Sequence, residues 1–238
     1  MSPEFRMLLS QYVGVGFAKQ LAFADQLGER GWGVDLGEGQ VTFGDDLKFP
    51  IQLLGSESDG DESWLWAWAN EASNLPSALL KSCRDLKELG SKLDVSELIE
   101  RSCSTSIVDG HSIAMIASGL DSTSCYYRGP YDGGALYFLV RDLPKEVISP
   151  VSSERAITTI SQVTSTFDVD HRQMTKSFLS SQGFKVTEAE SQISSYCESG
   201  NIRIEFDSEG RLSNIDGTLT PPNKKPRKKN GWKFWAKE

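Results

Sequence analysis

The 238-residue chain has no apolar run approaching the roughly 20 residues that a membrane helix requires. Histidine is scarce: only His111 and His171 are present, and neither has a second histidine at metal-binding spacing. The four cysteines, Cys83, Cys103, Cys125 and Cys197, form no CxxC pair, so neither a zinc framework nor a compact disulfide scaffold is indicated. Four reduced, mostly buried thiols in a cytoplasm is the simpler reading. A G-x-S-x-G nucleophile elbow is missing, and the glycine-rich segment 129–134 lacks the lysine and hydroxyl residue of a phosphate cradle. No cofactor and no metal is implied, and a reaction is left open rather than indicated.

Hydrophobic residues make up 38% and charged residues 24%, the composition of a globular chain. The net charge of −8 is unevenly placed. The last fifteen residues carry seven bases and one acid; setting that +6 aside leaves −14 on residues 1–223. Such a globule repels nucleic acid and anionic lipid and attracts a basic partner. The tail has the opposite preference. Lys224, Lys225, Arg227, Lys228, Lys229 and Lys233, with Trp232 and Trp235, suit an anionic membrane surface or single-stranded nucleic acid. Folding back on the acidic globule is the plainer alternative.

The pattern along the chain predicts an α+β fold. Antiparallel meanders are expected at about 31–69, 124–140 and 184–219, packed with helices at about 5–27, 75–120 and 153–181. Phe5, Leu8, Tyr12, Val13, Phe17, Leu21 and Ala24 form the stripe of an amphipathic first helix, which Gly14 and Gly16 weaken. Gln11 and Lys19 interrupt the apolar stretch after Arg6, so an export leader is not the favoured reading. Asn74 is a candidate N-cap for a helix that Gly90 stops, and Asp94 for a helix through Arg101. Asp109 is a third candidate cap and Asp170 a fourth, with His171 in the first turn that follows. The folded unit is placed at 1–220, as one domain or two lobes divided near 144–150, with a flexible basic-aromatic tail at 221–238.

Ser63 to Asn70 is the most distinctive segment. In a strand, Trp64, Trp66 and Trp68 share one face, with Leu65, Ala67 and Ala69 on the other. Buried, each indole removes on the order of 200 Å² from water and the row is core. Exposed, it is a platform for a small ligand, with Asp35, Asn70 and His111 as polar partners. Together with Trp32-Gly33-Val34-Asp35-Leu36, Gly39 to Gly44, Gln52 to Gly55, Arg128-Gly129-Pro130 and Tyr137 to Val140, this W-x-W-A-W-A-N segment resembles a family of bacterial proteins known only as a domain of unknown function. The similarity spans roughly residues 5–145. It implies a bacterial, cytoplasmic protein and supplies no activity and no catalytic residues.

Acidic residues cluster at Asp45 and Asp46, and at Glu57, Asp59, Asp61 and Glu62, both in turns expected on one side of the meander. A solvated rim is the bland reading; a docking surface for a basic protein is the sharper one. The favoured function is therefore non-catalytic binding of an unknown protein partner, with membrane or nucleic acid contacted through the tail alone. The alternatives are a small-ligand binder or enzyme with a pocket beside the tryptophans, and a peripheral membrane or nucleic-acid binder led by the tail.

Overall fold

The computed structural model describes residues 1–219. It opens with helix α1, Pro3–Leu27, capped by the Ser2 side chain, which accepts the Phe5 N–H. Strands β1 (Trp32–Asp35), β2 (Gln40–Phe43), β3 (Leu47–Ser58) and β4 (Ser63–Trp66) follow as an antiparallel meander. Helices α2 (Lys81–Leu93) and α3 (Ser96–Ile99) and the short strand β5 (Ser102–Ser104) lead to α4 (Gly110–Leu120) and the hairpin of β6 (Cys125–Tyr131) and β7 (Gly134–Val140).

The 31–69 and 124–140 meanders merge into one seven-stranded sheet, because β7 pairs with β3 from Ile51 to Ser58. Here β3 is twelve residues long, and a bulge between Leu53 and Gly55 breaks its register with β7. Helix α5 (Lys145–Ile148) then joins the sheet region to α6 (Ser153–Thr166), α7 (His171–Ser181) and a second antiparallel meander. The strands of that meander are β8 (Lys185–Ala189), β9 (Gln192–Cys197), β10 (Gly200–Phe206) and β11 (Leu212–Leu219). These are the elements of the expected α+β class.

Helix α1 is not the one-sided amphipathic helix its stripe suggests. Its glycines are contact points: an added Cβ at Gly14 would lie 2.7 Å from Phe178 on α7, and one at Gly16 would lie 2.5 Å from the Met115 carbonyl on α4. Residues two apart on a helix point about 200° apart, so α1 is packed on opposing faces. The glycines cost helix propensity and permit close approach of α4 and α7. Lys19, on the same helix, is buried and donates to the carbonyls of Ser118, Asp121 and Ser124 at 2.6, 2.6 and 3.1 Å. It thereby caps the C-terminus of α4. Burial lowers its pKa from the ordinary lysine value, against the opposing pull of Cys125 and Asp121.

Three local expectations are corrected. Asn74 does not cap a helix; it sits in the left-handed region at φ 41°, and α2 begins only at Lys81, after a 3-10 turn at Ser77–Leu80. Gly90 does not stop α2, because Leu98 packs onto it, 2.6 Å from where a Cβ would stand. Asp94 ends α2 as a left-handed C-cap at φ 58° instead of starting the next helix. Asp109 and Asp170 do cap, accepting the N–H groups of Ser112 and Gln173.

Candidate functional site at one end of the large sheet

The acidic residues of the first meander do not share one side. Asp45 and Asp46 lie in the β2–β3 turn and Asp59 to Glu62 in the β3–β4 turn, with the whole length of β3 between them. Asp46 is engaged by Arg30 through two bonds of 3.1 and 3.2 Å, and that side-chain bond holds its carboxyl below the usual carboxylate range.

At the other end of β3 three connections meet. The Asp59 N–H donates to Gly133 in the β6–β7 turn at 3.0 Å, and Thr105 in the β5–α4 loop donates to the Glu62 carbonyl at 2.9 Å. Asp59, Asp61, Glu62, Asp109 and Asp132 are exposed carboxylates on these three connections, and Tyr131, 48% exposed, donates its hydroxyl to the Glu57 carbonyl at 3.3 Å. No lysine or arginine occurs in segments 57–62, 104–109 or 131–134. Asp132 and Tyr131 were not singled out in the sequence, because only the pairing of β7 beside β3 brings their turn to this place.

Glu57 is not part of that rim. Its carboxylate turns inward and accepts the Gly110 N–H at 2.6 Å and the Tyr137 hydroxyl at 2.7 Å. A carboxylate at the start of α4 also suits the positive end of the helix dipole. Arg128 donates to the Tyr137 oxygen at 3.2 Å, and the His111 Nδ1 lies 3.0 Å from the Tyr126 hydroxyl. Burial, reinforced by the Glu57 bond, pushes the Tyr137 hydroxyl far above the ordinary tyrosine value. Burial lowers the His111 pKa, with Asp109 and Glu57 opposing and Arg128 assisting. Beneath the rim the network therefore holds neutral tyrosines, a histidine biased toward its neutral form, and one tethered carboxylate. It fixes α4 to the sheet and positions the loops above it.

The tryptophan row is divided. Trp64 and Trp66 are fully buried, edge to face at 5.4 Å, and the Trp66 indole donates to the Glu97 carbonyl at 3.1 Å. The strand ends there, and Trp68 belongs to a 3-10 turn over Ala67–Ala69, half-buried beneath Lys87, whose Nζ is 3.5 Å from the ring centre. Two of the three indoles are thus core. Asp35 accepts the Glu38 N–H in the β1–β2 turn, and Asn70 accepts the Ser73 N–H; both are local turn bonds. Beyond the buried Trp64–Trp66 pair, the one proposed ligand residue found next to this row is His111, which with Trp64 packs against the Tyr137 ring, at 5.4 and 5.5 Å respectively.

All four cysteines are free, with Cys83 and Cys125 buried. Among the described residues no group of three or more histidine, cysteine or acidic side chains could hold a metal ion, and no helix is long and apolar enough to cross a membrane. The tail residues Lys224, Lys225, Arg227, Lys228, Lys229, Trp232, Lys233 and Trp235 lie outside the described residues.

No curated protein matches the chain, and no solved structure does. A family model does match, over residues 6–143, which takes in nearly all of α1, the seven-stranded sheet, α4 and the whole acidic end. The chain belongs to a family of unknown function, DUF6882.

Proposed function

We propose that the chain is a cytoplasmic binding protein whose acidic sheet end receives a basic segment of a protein partner. The observation that carries this reading is the convergence of three hydrogen-bonded connections, all free of lysine and arginine, one of which carries an exposed tyrosine. Clustered charge of one sign raises the encounter rate with an opposite charge, and a half-exposed tyrosine offers an aromatic anchor at low entropic cost. Four free thiols accord with a reducing compartment. The basic tail beyond residue 219 is a second, anion-seeking contact in this reading, and a competitor for the same acidic surface.

The test is titration of the full chain, and of a chain ending at Leu219, with lysine- and arginine-rich peptides that do or do not contain an aromatic residue. Binding should weaken with salt, fall at least about tenfold in an Asp59→Lys/Asp61→Lys double variant, and fall less in Tyr131→Ala. Equal binding by the double variant, or equal loss on reversing Asp45 and Asp46, would overturn the assignment to this end of the sheet.

A further inference from the structure

A second site lies at the opposite end of α4 and stands independently of the acidic end. A trench of about 300 Å³ runs between α2 and α4. Leu86 and Leu89 of α2 form one wall, Ala117 and Leu120 of α4 the other, and Leu139 of β7 is among its lining residues. Such a volume is at the small end of ligand cavities, and an apolar lining with a few convergent polar groups is their usual character.

The polar groups are Ser82, Asp85, Asp121 and Arg141. Arg141 donates to the Ser82 hydroxyl at 3.1 Å, but its Nε is buried and has no hydrogen-bond partner. Its contact with the Asp121 carboxylate is 3.7 Å, too long for a hydrogen bond. The other Asp121 oxygen is occupied by the N–H and hydroxyl of Thr123. Asp85 is held by Lys81 at 2.6 Å. Arg141 and Asp121 thus form a loose ion pair through Nη2, and the Arg141 Nε is a separate N–H left without a partner. Leaving a buried N–H without a hydrogen-bond partner has a cost, which calls for an explanation.

We propose that the trench binds a small zwitterion with an apolar side chain, an α-amino acid of the leucine or phenylalanine class. Arg141 and Ser82 take its carboxylate, the Asp121 Oδ2, which makes no hydrogen bond to Arg141, takes its ammonium, and the leucines take its side chain. A simple carboxylate would meet Arg141 but also two aspartates, and a simple amine would meet Arg141 with like charge. A zwitterion satisfies both signs.

The experiment is calorimetric titration of the full chain with L-leucine and L-phenylalanine, alongside 4-methylpentanoate, which lacks the ammonium, and isopentylamine, which lacks the carboxylate. Amide NMR shifts locate any binding. The expected result is saturable amino-acid binding with Kd below about 1 mM, shifts at α2, the end of α4 and Arg141, and each analogue at least about tenfold weaker. Arg141→Gln should lose the binding. Because that variant also removes the Ser82 bond, Leu120→Glu serves as a second variant: its site is 37% exposed, so it places a charge at the trench rim without disturbing the core. It should weaken binding by about tenfold at an unchanged melting temperature. Absence of binding at about 10 mM, an analogue binding as tightly as the amino acid, binding that survives both variants, or shifts confined to the acidic turns would each overturn the proposal. None of those results bears on whether basic peptides bind at the acidic end.

Discussion

Tyr137 on β7 donates its hydroxyl to Glu57 on β3 at 2.7 Å, while the other oxygen of the same carboxylate accepts the Gly110 N–H that starts α4. The two residues are not direct ladder partners; Tyr137 faces Gly55 and Glu57 faces Ala135, so the bond runs diagonally across the sheet. It locks the strand pair and the helix start together. Tyr137→Phe keeps the ring that packs on Trp64 and removes the donor, which should cost about 1.5–3 kcal/mol, the range for a hydrogen bond to a charged group. Urea unfolding measures this. A double cycle with Glu57→Gln should show the two losses to be strongly non-additive, and simple additivity would mean that the bond contributes little.

Lys19 is the clearest case of a buried charge with an assigned task. Three carbonyls at the end of α4 accept from it, and none has another partner of comparable charge. Lys19→Met keeps most of the side-chain volume and leaves those carbonyls short of donors, so a loss of about 3 kcal/mol or more is expected. Hydrogen exchange should accelerate first in the last turn of α4. Uniform acceleration across the chain would show that the loss is global and that Lys19 has no special role as a cap.

Much of this architecture was legible in the sequence. Ile202, Ile204 and Phe206 alternate inward along β10, and the turns beside them carry glycine, so the final meander lies close to its expected bounds. The failures have physical causes. The alternation of Trp64, Trp66 and Trp68 continues past the point where β5, only three residues long, stops pairing with β4, so Trp68 leaves the strand. Gly90 reads locally as a helix stop, yet it serves a contact with Leu98 on the following helix. Glu57 reads as one of a run of exposed acids, yet its place beside Tyr137 follows from a strand about eighty residues onward. Period and turn chemistry are local; pairing partners are not.

The glycine contacts of α1 give a stability test with an internal control. A Cβ at position 16 would stand 2.5 Å from the Met115 carbonyl oxygen and 3.1 Å from its Cα, and backbone cannot yield as a flexible side chain can. Gly16→Ala should therefore destabilise by about 1–3 kcal/mol, even though alanine is the better helix former. Gly31 has nothing within 4 Å of its would-be Cβ, so Gly31→Ala should stay within about 0.5 kcal/mol of the parent. If both variants unfold at the parent's midpoint, α1 and α4 are not in close contact through position 16.

Acid should destabilise the fold in two separable stages. His171 accepts the Leu212 N–H on Nδ1 at 3.0 Å, joining the start of α7 to the start of β11, and an imidazolium cannot accept that bond. Burial lowers the His171 pKa from its ordinary value of 6.5, and burial lowers that of His111 as well. Between the lowered value and 6.5 the unfolded chain holds more protons than the folded one, so stability rises with pH through that window and levels off above it. The carboxylates whose pKa is lowered, among them Glu188 beside Lys176 and Arg172, act with the same sign in a more acidic window, below the ordinary carboxylate values. His171→Asn retains an acceptor for the Leu212 N–H and cannot be protonated. Its unfolding free energy should fall less between about pH 7 and 5 than that of the parent, with the steeper loss below about pH 4 unchanged. Superimposable profiles for the two proteins in the upper window would show that His171 does not couple protonation to folding, and would leave His111 to account for whatever slope is seen there.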